Sequence, residues 1–308
     1  MAPVGAHLGL DLGATNLKWA LVERTDDGWR TLATGQESTR ADAGPDGIVA
    51  ELAEVGLAAE RGADVDASTI GIGIPGLYDP ATGATRFLPN IPGDWAGRPV
   101  AGPVGAAIGA PAALINDARA FTLAELTLGA GQGCDSIVAL TIGTGVGGGI
   151  ALDGRVLFGH DGTAGELGHQ TIEPDGLVCT CGNRGCLEPY ANAARIAELA
   201  GTATAEVAVD RARAGDRRAR EALAEAGRRL GVGIANLIVT VNPDRIVIGG
   251  GVAVGAGDLL FDPIRTELEA RVHVTSLAGI EVVPAELGTL AGAIGAAVHG
   301  AQAVETAR

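Results

Sequence analysis

The sequence predicts an α/β protein of two related lobes, with a ligand cleft between them and a loop tied by one metal ion. Three observations predict this. The order strand, glycine turn, strand occurs twice, near residues 8–22 and 137–152. Hydrophobic residues make up 47% of the 308 and charged residues 19%, the balance of a globular chain with a sizeable core. His169, Cys179, Cys181 and Cys186 are spaced to hold one tetrahedral metal. A cleft between domains is where small ligands bind.

Composition sets further bounds. Aromatics are only 3%, so the core is built from Ala, Val, Leu and Ile. The net charge of −15 argues against nucleic acid or an anionic membrane as a partner. It does not argue against a nucleotide, whose phosphates are met by backbone N–H groups and a metal. No apolar run approaches the roughly 20 residues of a membrane span. The opening Met1-Ala2-Pro3-Val4-Gly5 lacks the basic and apolar stretches of a signal peptide. Cysteines in a metal spacing suit a reducing cytoplasm, with Cys134 left over as a buried, inert thiol.

The elements follow in order. Residues 7–12, 17–23 and about 29–35 read as a β-meander, turned at Gly13 and at Asp26-Asp27-Gly28. Ile48, Leu52, Val55 and Ala59 recur at helical spacing, and residues 69–74 form a strand ending at Pro75-Gly76. Pro, Gly and Asn make 79–99 a loop. A short strand at 112–115 runs into Asn116-Asp117 and a helix over 118–128. The second half repeats the theme: strand 136–142, glycine loop 143–149, and a hairpin over 150–157 turned at Asp153-Gly154. Helices fill 189–241 until Asn242-Pro243-Asp244 breaks them; a strand at 245–248 ends in Gly249-Gly250-Gly251, and helix closes the chain over about 287–304.

Three thiolates and an imidazole are the ligand set of a closed, structural zinc site, with no position left open for catalysis. Glu166 and Glu188 stand three and two residues from a ligand, so the metal would fix two carboxylates in space. If residues 165–169 coil helically, Glu166 and His169 share a face. The imidazole nitrogen not on zinc then carries a hydrogen for a substrate hydroxyl.

Two stretches match the pattern G-x-G-x-x-G, at Gly71/Gly73/Gly76 and Gly143/Gly145/Gly148. Neither is followed by the helix a dinucleotide site needs, and no Walker-type lysine loop exists. A turn between strands still binds phosphate through successive N–H groups. Asp11-Leu12-Gly13-Ala14-Thr15-Asn16 adds an acid that could hold Mg²⁺ through water, and Thr141 and Thr144 flank the second turn. Each turn alone reads equally as a tight β-turn. Asp117, at the carboxyl end of a strand, is placed to act as a general base, although Asn116-Asp117 is also a good helix cap.

Together these residues resemble the ROK family of sugar kinases, within the actin-like ATPase superfamily, over nearly the whole chain. Residues 11–16 resemble the first phosphate motif, Asp-x-Gly-Gly-Thr followed by Lys or Asn, with Ala14 in place of the second Gly. Ile74-Pro75-Gly76, Pro89-Asn90-Ile91-Pro92 and Trp95 resemble the sugar-side loops, and Asn116-Asp117 the catalytic pair. Residues 144–149 resemble the second phosphate motif. Glu166-Leu167-Gly168-His169 and the run from Cys179 to Glu188 match the zinc signature in full.

The resemblance implies a two-lobed actin-like ATPase (ribonuclease H-like) fold. Its smaller domain would be residues 1–117 completed by a helix at about 290–308, its larger one 118–289 with the zinc motif at 166–188. It implies transfer of the γ-phosphoryl group of ATP to a hexose hydroxyl, most simply O6 of glucose, with Asp117 as base. Gly76, Asn90, Asn116, Asp117, Glu166, His169 and Glu188 would bind the sugar. Asp11, Gly13, Ala14, Thr15, Asn16, Lys18, Thr144, Gly145, Gly147 and Gly249 to Gly251 would hold ATP with Mg²⁺. Zn²⁺ would sit on His169, Cys179, Cys181 and Cys186. The expected assembly is a homodimer or homotetramer. N-acetylmannosamine, N-acetylglucosamine, fructose or a cyclitol could replace glucose. A repressor of the same family would carry a basic helix-turn-helix ahead of the first strand, which this sequence does not show. A silent sugar binder would have no use for both phosphate turns and Asp117.

Overall fold

A computed structural model describes residues 5–26 and 28–306. Asp27 of the expected turn, residues 1–4 and residues 307–308 of the expected closing helix lie outside them. The chain divides into two compact units. The first comprises the residues up to Gln132, then Phe158–Ala164, then those from Thr289 on; the second is Gly133–Leu157 with Gly165–Gly288.

The first unit opens with β1 (Ala6–Leu12), β2 (Asn16–Thr25) and β3 (Gly28–Ser38), the expected meander. Helix α1 (Gly44–Ala63) starts with a proline in its first turn and ends on Asp64 in the left-handed conformation. Strand β4 (Ala67–Ile74) follows, then a small hairpin of β5 (Leu77–Asp79) and β6 (Ala84–Phe87), α2 (Ala101–Ile108), β7 (Ala112–Asn116) and α3 (Asp117–Leu128). Its sheet has the order β3-β2-β1-β4-β7, antiparallel across the meander and parallel from β1 to β7.

The second unit repeats that plan. Strand β8 (Ile137–Ile142) pairs antiparallel with β9 (Val146–Leu152), and β9 with β10 (Arg155–Val156). The two-residue turn at Asp153 and Gly154 has φ of 50° and 68°, as a hairpin of this twist requires. Four helices follow, α4 (Glu188–Ala191), α5 (Ala193–Ala200), α6 (Ala205–Arg213) and α7 (Arg217–Val241), the last stopped by Asn242 in the left-handed conformation. Strand β11 (Arg245–Gly249), α8 (Gly251–Ala256), α9 (Asp258–Arg271) and β12 (Glu281–Pro284) complete a sheet of order β10-β9-β8-β11-β12. Two antiparallel pairs lead into two parallel pairs here as well.

The chain then returns to the first unit as α10 (Ala291–Thr306). In β1 and β4 the register sets Leu8 beside Ile70 and Leu10 beside Ile72, while Gly9 lies beside Gly71. The leucines and isoleucines join Ile48 and Leu52 of α1 in one core. The glycine face receives α10. A Cβ at Gly9 would lie 1.8 Å from the carbonyl oxygen of Ala293, and one at Gly71 only 1.6 Å from that of Ala296. Helix backbone on sheet backbone is what Gly71, the first glycine of the first G-x-G-x-x-G match, serves.

Three expectations are corrected. The break expected after residue 117 falls after Gln132, because α3 packs along α10: a Cβ at Gly295 would lie 1.8 Å from the carbonyl oxygen of Ala120. The loop expected at 79–99 contains β6, whose pairing with β5 is too short to show a period. The glycine loop expected at 143–149 is only 143–145; Gly147 pairs with Thr141 inside the β8–β9 ladder. Gly148 is small there because a Cβ would stand 2.6 Å from the Ala139 carbonyl oxygen. Among the described residues no helix is long and apolar enough to cross a membrane.

Candidate active site and metal centre

In the second unit one ligand atom from each of His169, Cys179, Cys181 and Cys186 lies within 4.8 Å of the others. A tetrahedral zinc with Zn–S bonds of ~2.3 Å sets sulfur atoms ~3.8 Å apart and sulfur and nitrogen ~3.5 Å apart. Cys181 Sγ and Cys186 Sγ are 3.7 Å apart, and Cys179 Sγ is 3.5 Å from His169 Nδ1. The donor set and its spacing fit zinc. Burial pushes the Cys186 thiol up to about 11, and the adjoining sulfurs push it the same way. A divalent cation is what lets thiolates share so small a space. The knuckle is shaped by Gly182 and Gly185, both at positive φ, with Gly182 N–H donating to Cys179 C=O over 3.0 Å.

His169 ends a 3₁₀ turn, Leu167–His169. Glu166 precedes it and accepts the His169 N–H at its carbonyl over 3.0 Å. Leu167 is buried in the core, and a Cβ at Gly168 would fall 1.9 Å from the Val146 carbonyl oxygen. The signature Glu-Leu-Gly-His thus fixes its apolar residues inside. Nδ1 faces the sulfurs, so with a metal on Nδ1 the hydrogen would be carried by Nε2.

Glu188, the first residue of α4, accepts a hydrogen bond at Oε2 from the Val146 N–H over 2.9 Å. It therefore touches the turn at 143–145, where Gly143 N–H donates to Gly145 C=O over 2.9 Å. The third glycine cluster follows β11. Gly250 has φ 92°, and a Cβ there would meet the Ile142 carbonyl oxygen at 2.1 Å, so the chain crosses β8 too closely for any side chain. Helix α8 starts at Gly251.

In the first unit the β1–β2 turn closes by Gly13 N–H to Asn16 C=O, 3.0 Å. Ala14 and Thr15 are exposed at its tip. Thr39 secures it: its hydroxyl donates to Gly13 C=O over 2.8 Å and its N–H to Thr15 C=O over 2.9 Å. Sequence reading missed Thr39, which stands 26 residues from Gly13 and carries no motif. Asp11 sits opposite Lys18 in the ladder, with Nζ 3.8 Å from Oδ2. Burial raises the pKa of Asp11, and Lys18 pulls the other way. A carboxylate is the donor type Mg²⁺ takes, and this one is 14% exposed near the carboxyl end of β1.

Asn116 caps α3. Its Oδ1 accepts from Ala118 N–H and Arg119 N–H, and its Nδ2 donates to Gly76 C=O over 3.3 Å. The capping account therefore holds for this residue. Asp117 follows at the first position of α3, with Oδ1 2.8 Å from Ala118 N. Asn90 lies in the loop after β6 at φ 67°, a conformation asparagine tolerates better than most residues. Gly76 has φ 149°, and a Cβ would press on the Phe87 carbonyl oxygen at 2.2 Å.

The model of the ROK family matches residues 7–302. A glucokinase of Thermotoga maritima is 38% identical, covering 94% of this chain and 95% of that protein. The crystal structure of a ROK hexokinase from Thermus thermophilus is 35% identical with a TM-score of 0.87, covering 98% of this chain and 99% of that one. A ROK family glucokinase from Streptomyces griseus, in complex with glucose and AMPPNP, is 32% identical with a TM-score of 0.81, over 97% and 100% of the two chains. The xylose repressor of Bacillus subtilis is 30% identical, over 73% of this chain but 59% of the repressor. The repeated sheet and these neighbours make the fold that of the actin-like ATPases. Matched from residue 7 to residue 302, with relatives above 30% identity along almost all of its length, the chain belongs to the ROK family.

Proposed function

We propose that this protein transfers the γ-phosphoryl group of ATP to a hexose, with glucose as acceptor and glucose 6-phosphate as product. The observation that carries the reading is the end-to-end similarity to a glucokinase, 38% identical, in a chain that keeps the zinc signature with both of its glutamates. The S. griseus relative, which binds glucose and AMPPNP, supports the same substrate pair.

In this reading Asp117 accepts the proton of the O6 hydroxyl as that oxygen forms its bond to the γ-phosphorus. The bond from phosphorus to the bridging oxygen of ADP breaks, and ADP leaves. The chain mainly positions groups and stabilises charge. Gly76, Asn90, Asn116, Glu166, Glu188 and the Nε2–H of His169 hold the other hydroxyls. The turns at 12–16 and 143–145 receive phosphates on their N–H groups, and Gly249 to Gly251 pack against the nucleoside. Asp11 would hold Mg²⁺, which would supply positive charge to the phosphates. His169, Cys179, Cys181 and Cys186 would hold Zn²⁺, which would orient His169 and the flanking acids. A reducing cytoplasm and a homodimer or homotetramer complete the proposal.

A coupled assay with ATP against glucose, fructose, N-acetylglucosamine, N-acetylmannosamine and cyclitols tests it. Glucose is expected to give the highest kcat/KM. Turnover on another member of the panel would move the acceptor and keep the chemistry. No turnover on any would leave a sugar-binding regulator instead.

A further inference from the structure

The turn at 143–146 is held at both ends by the segment that follows the zinc ligand Cys186. Glu188 Oε2 accepts the Val146 N–H over 2.9 Å, and Ala193 N–H donates to the Gly143 carbonyl over 2.8 Å. A Cβ at Gly145 would stand 2.4 Å from Oε2 of Glu188. Glycine at 145 therefore has a use apart from phosphate: it is the gap through which the carboxylate reaches the backbone. Val146 is buried, so its N–H has little access to water if the glutamate is removed. A carboxylate on an N–H is also among the stronger hydrogen bonds.

We infer that Glu188 is a positioning residue for the phosphate turn, through the Oε2 bond to Val146, in addition to any hydroxyl it binds. Its second oxygen, Oε1, is the one left to a sugar hydroxyl. One side chain would then serve the acceptor and set the turn that meets the nucleotide. Through Cys186, two residues earlier, the zinc knuckle would set it as well. The inference rests on the reading that 143–146 receives the phosphates of ATP.

The test compares wild type, Glu188→Ala and Glu188→Gln for binding of AMPPNP with Mg²⁺ by calorimetry, without sugar. Zinc content and the two KM values are measured alongside. Glutamine keeps an oxygen that can accept from Val146, so its nucleotide affinity should stay within about threefold while its sugar KM rises. Alanine should weaken AMPPNP by about tenfold, the scale of one such hydrogen bond, with zinc retained. Hydrogen exchange at the Val146 amide should quicken in the alanine variant and hold in the glutamine variant. Gly145→Ala, which displaces the carboxylate, should copy the alanine variant. If Glu188→Ala binds AMPPNP like wild type and only the sugar KM moves, the inference is overturned and the kinase reading survives. Wild type that binds no nucleotide overturns both.

Discussion

Arg119 donates from Nε to the carbonyl oxygen of Ala164 over 2.6 Å, and the arginine is 1% exposed. It stands two residues after Asp117 on α3 and fastens the separate stretch Phe158–Ala164 to the first unit. Arg119→Ala strands a carbonyl and opens a cavity, and should cost roughly 3 kcal/mol or more. Arg217→Ala, on an arginine whose side chain is 89% exposed, should stay within about 0.5 kcal/mol of wild type. Urea unfolding midpoints of the two variants check the contrast. Equal midpoints would mean the buried guanidinium fastens nothing.

The contact of Gly71 with α10 leaves no room for a methyl group. Gly71→Ala should destabilise by about 3 kcal/mol, at the upper end of overpacking, because both partners are backbone. Gly62, near the end of α1, meets nothing within 4 Å. Gly62→Ala should stabilise by about 0.5–1 kcal/mol through the unfolded chain. Thermal melts of the pair should move in opposite directions; a shared direction would count against the packing account.

Burial lowers His299 from 6.5 to about 4, against the opposing hydrogen bond from its ring to the backbone of Leu114. Above pH 6.5 neither state binds the proton, so its effect on stability is flat. As pH falls from 6.5 toward 4 the unfolded chain takes the proton first, and up to about 3 kcal/mol is lost. His299→Gln can still donate to Leu114 and should flatten that part of the curve. Unfolding midpoints of wild type and variant at pH 7 and pH 4.5 give the comparison, and an unchanged slope would assign the acid loss to the carboxylates.

Removing zinc should disturb more than the sugar. Chelation frees Cys186, loosens Glu188 and with it the Val146 N–H, so both the sugar KM and the ATP KM should rise together. Zinc-replete protein should recover both. A sugar KM that moves alone would confine the knuckle to the acceptor side.

Asp117→Asn should bind glucose and AMPPNP nearly as wild type does while kcat falls by 10²–10⁴-fold, the usual effect of losing a general base. Retained turnover within about tenfold would remove Asp117 from that role.

The two sheets were legible because each opens with a strand, a glycine turn and a strand, and because Leu8, Leu10, Ile70 and Ile72 alternate with small residues. The grouping of His169, Cys179, Cys181 and Cys186 was legible from spacing alone. Helix α2 was not: Ala101-Gly102-Pro103-Val104-Gly105 carries two glycines and a proline, so only tertiary packing makes it helical. Strand β12 is four residues long with none of them buried, too short to show a period. Gly147 looked like loop because glycine marks a turn and a tightly covered strand equally. The bond from Glu188 to Val146 spans 42 residues, and neither motif hints at the other. Sequence reading finds residue types at local spacing; it does not find which backbone N–H a carboxylate will satisfy.

The placement of α10 has a consequence for synthesis. Gly9 and Gly71 on one face of the first sheet lie directly against the backbone of this helix, and residues 291–306 leave the ribosome after the whole second unit has been made. The second unit can therefore complete its core while β1, β4 and β7 still wait for their cover. Nascent chains stalled before residue 291 should expose a sheet face to chaperones, at the stage when unpaired apolar surface is most open to aggregation.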